Sequence, residues 1–219
     1  MTSAPLSQTA EDYLKEIYKL QSESGRATTS SVAERVGVSA PSATAMVKKL
    51  AALGLVEHER YRGVRLTSAG EKAAVEVIRH HRLLEQYLSE TLGLPIDEVH
   101  AEADRLEHVL SEELEARIDQ SLGYPTHDPH GDPIPDANLE LPSGPVRALT
   151  DLGEGERATV RRVPDGDDEL LRYLSELGLV PGGPVQLVRA APFQGPLTVL
   201  SAGEEHAIAR DLAARIGVS

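Results

Sequence analysis

Apolar side chains recur every three or four positions along most of the amino-terminal half of the chain, and strict alternation is confined to short runs. In TAEDYLKEIYKLQSE, residues 9–23, Tyr13, Leu14, Ile17, Tyr18 and Leu20 share one side of a helix, with Thr9 the expected N-cap. TTSSVAERVG, residues 28–37, predicts a short helix closed by Gly37. VSAPSATAMVKKLAALGL, residues 38–55, predicts another, with Ser39 as cap, Pro41 in the first turn and Gly54 at the end. Its expected buried side is Val38, Ala45, Met46, Leu50 and Leu53. The turn VGVS between these two helices has the length and the glycine of a helix-turn-helix. LVEHERYRGVRLT, residues 55–67, then alternates around Gly63 as a two-stranded hairpin would. The sum is a winged helix-turn-helix.

The pattern then changes twice. Residues 68–93 predict one long helix, a break at GLPIDEV follows, and a helix containing HAEADRLEHV and a third over 111–124 come next. Their abundance of Leu, Ile and Val predicts a dimerisation domain. Six of the 14 prolines lie between 125 and 145, so that stretch reads as an extended connector with His127 and His130 in solvent. Beyond it RATVRRV, PVQLVRAAP, GPLTVLSA and EHAIAR predict short strands, and DDELLRYLSELGL a helix among them. A small SH3-like β-barrel fits. The fold class is therefore mainly α with small β: a winged helix-turn-helix over 1–75, a helical dimerisation and metal-binding domain over 76–142, and an SH3-like domain over 143–219.

Composition sharpens these boundaries. Aromatic residues are 3% of the chain, so its cores must be built from Leu, Val, Ile and Ala. The net charge of -13 is unevenly spread. Residues 1–75 hold 10 Lys and Arg against 8 Asp and Glu, residues 76–142 hold 4 against 16, and residues 143–219 hold 8 against 11. A mildly basic front end suits DNA, and the acidic centre, with six of the eight histidines, suits cations. There is no cysteine, hence no disulfide framework and no thiolate ligand. No run of 18 apolar residues and no signal-peptide pattern is present, so the expected location is the cytosol, without a membrane partner.

The candidate chemistry is concentrated in the middle. At about 100° per residue, His100, Asp104, Glu107 and His108 share an arc of roughly 100° beside the apolar stripe of Val99, Ala103, Leu106 and Leu110. That is either an acidic solvated rim or half of a metal site. His81 and Glu85, at i and i+4, share one helical face, and Asp12 lies near the apolar face of the first helix. Asp165, Asp167, Asp168 and Glu169 fit the start of a helix, where acids favour the dipole. Imidazole with carboxylate, and no sulfur, suits hard or borderline ions such as Mn²⁺ and Fe²⁺. Ser39, Ser42 and Thr44 could reach bases or phosphates, Lys48 and Lys49 suit phosphates, and Arg60, Arg62 and Arg65 suit the backbone or minor groove. With no Arg, Asn or Gln in the first turns, readout around Pro41 would rest on small side chains and DNA shape.

EDYLKEIY, SSVAERVGVSAPSATAMVKKLAALGLV, YRGVRLTSAG, HHRLLEQYL, HAEADRLEHVLSEELEARI and DPHGDPIP, in that order and spacing, resemble the DtxR/MntR family of metal-dependent transcriptional repressors over nearly the whole chain. The resemblance implies a three-domain homodimer with a FeoA-like carboxy-terminal domain, acting on double-stranded operator DNA with inverted-repeat symmetry. It also implies a regulatory metal site at Asp12, Asp104, Glu107 and His108, and an ancillary one at His81, Glu85 and His100. Asp167 and Glu169 match the family's third-domain ligands loosely. Where iron-type members carry Met and Cys, this chain has Asp12 and Asp104, which favours Mn²⁺, with Fe²⁺ the alternative. Lys15 stands where short manganese-type members have Glu, so two separate ions per chain fit better than a paired cluster. Asp128 and Asp132 replace the Ser and Asn with which iron-type members hold an anion, so that anion site is expected to be absent. The implied function is repression of metal-uptake genes in the metal-loaded state. The rivals are an iron-responsive member of the same family, a metal-indifferent winged-helix regulator, and a metallohydrolase.

Overall fold

The structure, a computed structural model, describes residues 6–59, 63–142, 144 and 146–219. They fall into two compact units. The first takes in the chain up to His80 together with Glu107–Leu110 and Pro135–Glu140; the second takes in His81–Leu106, Ser111–Ile134 and Leu141–Ser219.

In the first unit, helix α1 (Gln8–Ser24) is capped by Ser7, whose hydroxyl accepts from the Ala10 N–H. The cap is thus two residues ahead of Thr9. Tyr13, Leu14, Ile17 and Leu20 are buried on its inner side. Helix α2 (Thr29–Val36) begins in a reciprocal cap between Thr28 and Ser31 and stops at Gly37, which takes φ 71°. Helix α3 (Ala40–Ala52) is capped by Ser39. Its buried side is Ala43, Val47 and Leu50, at i, i+4 and i+7. Of the expected inner side only Leu50 is buried: Ala45 is exposed, Met46 is half-buried, and Val38 and Leu53, beyond the helix ends, are 38% and 54% exposed. Strands β1 (Val56–Glu59) and β2 (Gly63–Leu66) pair antiparallel. A Cβ at Gly63 would collide with the Ala27 carbonyl, so glycine lets the hairpin close on the chain before α2. Helix α4 (Ser68–Leu92) follows, and its Ala74 packs into the core of α1–α3 and the hairpin.

In the second unit, α5 (Val99–Leu106) buries Val99 and Ala103. It stops at Leu106, and residues 107–109 form a turn. The single helix expected through His108 is therefore cut short, and Glu107 and His108 leave the arc that holds His100 and Asp104. Helix α6 (Glu112–Ser121) is capped by Ser111. The connector is not a solvated spacer: Asp128 and His130 are buried, and His127 bridges to Pro133 in a short antiparallel contact. At Gly131, with φ 87°, an added Cβ would strike the Arg161 carbonyl. Glycine there lets the His130 carbonyl accept from the Val163 N–H at 2.9 Å.

The remaining strands are β3 (Arg147–Ala148), β4 (Arg157–Arg162), β5 (Pro184–Ala190), β6 (Leu197–Ser201), β7 (Glu204–Ile208) and β8 (Gly217–Val218). They form one sheet in the order β3-β8-β4-β5-β6-β7. Every pairing is antiparallel, and two edges stay open, so the expected barrel is an unclosed sheet among the described residues. Helices α7 (Asp168–Glu176) and α8 (Arg210–Ala213) complete the unit. Leu171 and Leu174 of α7 join Val160, Leu187 and Val199 of the sheet in one aliphatic core. The two-residue strands β3 and β8 are too short to show periodicity in sequence. Among the described residues no helix is long and apolar enough to cross a membrane.

Candidate metal centre

Three groups of imidazole and carboxylate side chains are each drawn together within one unit.

The first contains Asp12, Glu107 and His108. Asp12 comes from the second turn of α1, and Glu107 and His108 from the turn after α5. His108 Nε2 lies 2.9 Å from Asp12 Oδ1 and 3.3 Å from Glu107 Oε1. Its other nitrogen, Nδ1, is 2.7 Å from Glu11 Oε2. A carboxylate on Nδ1 orients the ring and aims Nε2 at the two acids, the arrangement that metal-binding imidazoles use. Glu107 is 1% exposed and accepts from the Lys15 ammonium at 2.6 Å. Its backbone carbonyl is 3.1 Å from His80 Nδ1, which anchors the turn.

The second contains His81, His100 and Asp104, and Glu85 joins it through one oxygen. His81 Nε2, His100 Nδ1 and Glu85 Oε1 lie 3.0 to 3.1 Å from one another. The two rings meet edge-on, with centroids 4.8 Å apart. Asp104 closes the far side, with Oδ1 3.3 Å from His81 Nδ1 and Oδ2 3.7 Å from His100 Nε2. Ligands about 2.1 Å from an octahedral ion stand about 3 Å from their neighbours. The Nε2, Nδ1 and Oε1 atoms already have that spacing.

The third contains Glu85, Asp128 and His130. Glu85 Oε2 and His130 Nδ1 are buried 3.7 Å apart, each without a hydrogen-bond partner among the described residues. His130 Nε2 is held by the Ile96 carbonyl at 3.0 Å. Asp128 Oδ1 accepts from the N–H groups of His130 and Asp132 at 2.9 Å each, which fixes the connector around Gly131. Burial alone would raise the Glu85 carboxyl, but the charge of His81, the hydrogen bond from His100 and the imidazole of His130 3.7 Å away hold it well below its usual range. Burial opposes charge on His130 too, yet Glu85 and Asp128 together lift it to about 9. Burial and the charges of Glu85 and Asp132 push Asp128 well above its usual range.

The expected sites are thus partly regrouped. Asp12, Glu107 and His108 come together, as do His81, Glu85 and His100. Asp104 stands with His81 and His100, because it remains on α5 while its expected companions lie past the helix end. Asp167 is the N-cap of α7, accepting from the Leu170 N–H, and Glu169 is exposed in that helix's first turn. Neither belongs to a donor group among the described residues. Sequence reasoning missed His130 and Asp128. The signal lay in DPHGDP, where an aspartate two and four residues before its N–H partners forms an Asx-type turn around a glycine.

On the DNA-binding side, the Ser39 hydroxyl accepts from the Ser42 N–H and pairs with the Ser42 hydroxyl at 2.8 Å. The Thr44 hydroxyl is spent on the Ala40 carbonyl. Pro41, Lys48, Lys49 and Arg65 are exposed, whereas Arg60 and Arg62 lie outside the described residues.

Residues 5–64 match the family model "Iron dependent repressor, N-terminal DNA binding domain", and residues 67–136 match "Iron dependent repressor, metal binding and dimerisation domain". The iron-dependent repressor IdeR of Mycobacterium tuberculosis (strain ATCC 25618 / H37Rv) is 36% identical over 211 residues, 90% of each chain. The chain belongs to the iron-dependent repressor family. Residues 147–219 of this family member match the FeoA domain. The diphtheria toxin repressor of Corynebacterium efficiens is 35% identical over 222 residues, covering 96% of this chain and 94% of its own. A solved structure described as a manganese-dependent transcriptional repressor complex with manganese shares 40% identity and a TM-score of 0.88, covering 95% of this chain and 98% of that one. The manganese regulator SloR shares 33% identity over 99% of both chains, with a TM-score of 0.81. Members of this family are DNA-binding transcriptional repressors rather than enzymes, and the metallohydrolase reading has no support.

Proposed function

We propose that this iron-dependent repressor family member is a homodimeric regulator whose grip on an inverted-repeat operator is set by divalent metal, with Mn²⁺ the ion it answers to and metal-uptake genes its targets. It acts where the chromosome is, in the cytoplasm. The three functional parts are 1–75 for DNA, 76–142 for metal and dimerisation, and 143–219 as the FeoA-like part. One observation carries the reading: Asp12, on the first helix of the DNA-binding fold, shares a three-donor group with Glu107 and His108.

The residues fit a divalent ion. Two carboxylates and an imidazole whose other nitrogen is already paired make a hard, sulfur-free donor set, which suits Mn²⁺ ahead of thiophilic ions. Asp12, Glu107 and His108 would hold one ion, and the Glu85-centred group a second. Bound there, an ion supplies the positive charge that offsets the mutual repulsion of clustered carboxylates. Everything else is the work of the chain. Asp12 lies on the α1 turn that also carries Tyr13 and Leu14, so the pose of Asp12 is the pose of α1. Leu14 and Ile17 share a core with Ala43, Val47 and Leu50 of α3, so fixing α1 restrains the helix expected to enter the major groove. His80 holds the Glu107 carbonyl, giving the donor turn a fixed base.

Fluorescence anisotropy with an inverted-repeat duplex, with and without Mn²⁺, tests the reading. Binding should strengthen at least tenfold with Mn²⁺ in the wild type and not in Asp12→Ala. Equal binding with and without the ion would mark a metal-indifferent winged-helix regulator instead.

A further inference from the structure

Lys15 is a lysine buried to its amino group. Its side chain is 7% exposed and that of Glu107 is 1%, with Nζ 2.6 Å from Oε1. A carboxylate so deeply buried needs a counter-charge, and removing one partner of such a pair leaves the other uncompensated. Lys15 lies three positions after Asp12 on α1, so both emerge on the same side of the helix. The Oε1 atom it contacts is also the one 3.3 Å from His108 Nε2. The ammonium therefore sits against one member of the donor group, on the Glu107 oxygen that faces His108.

We infer that Lys15 is the resident cation of the Asp12–Glu107–His108 centre. Its ammonium neutralises Glu107 in the metal-free protein, ties α1 to the 107–110 turn before any ion arrives, and lowers the centre's affinity for a divalent ion. This rests on the reading of that group as a metal centre. Two consequences separate a resident cation from an ordinary buried ion pair. Loss of a structural pair lowers stability and leaves metal binding unchanged or weaker. Loss of a resident cation also lowers the stability of the metal-free protein, but it strengthens metal binding, because the carboxylate is released and a like charge beside the ion is gone.

The experiment is Mn²⁺ titration calorimetry on the full chain, paired with urea unfolding of the chelated protein. Lys15→Met keeps the aliphatic stem and removes the charge, Lys15→Arg keeps the charge, and Asp12→Ala identifies the heat that belongs to this centre. Lys15→Met should bind Mn²⁺ at the Asp12-dependent site at least tenfold more tightly and unfold at lower urea, with Lys15→Arg near wild type in both. Asp12-dependent binding that is unchanged or weaker in Lys15→Met would overturn the lysine's role and leave the centre standing. An isotherm for Asp12→Ala identical to wild type would remove the centre itself. Should chelated Lys15→Met fail to fold, the double variant with Glu107→Gln decides: regained folding supports charge compensation, and a double variant equally unfolded refutes it.

Discussion

The group around Asp12 and the group around Glu85 draw on the same types of side chain, imidazole and carboxylate, but are assembled differently. In the first, α1 meets a turn 92 residues further on, measured from Lys15 to Glu107, and an ammonium is already seated on one carboxylate. In the second, Glu85 on α4 gives one oxygen to His81 and His100 and turns the other toward His130, so one buried acid serves two sets of imidazoles. On the reading proposed above, a metal in the first group acts on DNA directly, because α1 contributes to the DNA-binding core. On the same reading, a metal in the second, on α4, α5 and the connector, would act on DNA more weakly, through the amino-terminal half of α4 that reaches the core at Ala74. The difference between the two groups therefore lies in the elements that supply the side chains, not in the side-chain types.

The largest effect should come from separating the two groups by mutation. Asp12→Ala should cost on the order of 100-fold in Mn²⁺-dependent operator affinity, whereas Glu85→Ala should cost about tenfold, both within the usual range of coupling between sites. Anisotropy titrations at fixed Mn²⁺ would show it, and a reversed order would break the contrast. Gly131→Ala should disturb the second group alone. A β-carbon at φ 87° that also meets the Arg161 carbonyl should lower unfolding free energy by about 2 kcal/mol, measured by urea titration. Retained stability would mean the connector adapts more readily than its packing indicates.

The His130 environment gives a pH signature in chelated protein. Its folded value near 9 exceeds the ordinary 6.5, so the stability it contributes is fully present below about pH 6.5 and is lost as pH rises through about 9. His130→Gln should flatten the fall in urea midpoint across that window. An unaltered slope would place the titration elsewhere. The smallest effect concerns DNA. Lys48→Ala, on an exposed side of α3, should weaken binding a few-fold across all duplexes and reduce the salt slope by about 0.9. Loss confined to one sequence would make Lys48 a base reader.

How legible this molecule is in its sequence varies with the range of the interaction. α1 to α4, the hairpin and the four longer strands follow from apolar spacing and from Gly, Ser and Pro at their ends, all local signals. The same logic picked out Asp12, His81, Glu85, His100, Glu107 and His108. It failed where structure depends on distant contacts. Nothing local announces that α5 stops at Leu106, since Glu107 is drawn off by Lys15 and His80, which lie far away in sequence. That stop takes Glu107 and His108 off the helix on which His100 and Asp104 remain an i,i+4 pair. His130 was hidden for a similar reason: a proline-rich stretch reads as solvated unless one knows that Gly131 lets it lie against β4. The open sheet escaped notice because closure depends on how two-residue strands pair.

Anomalous X-ray scattering at the manganese edge, on crystals grown with Mn²⁺ and operator duplex, would locate the ion that couples metal to DNA. A strong peak bonded to Asp12, Glu107 and His108 in every DNA-bound chain is expected. Peaks confined to the Glu85 group, with Asp12 remote from any ion while DNA is held, would contradict it.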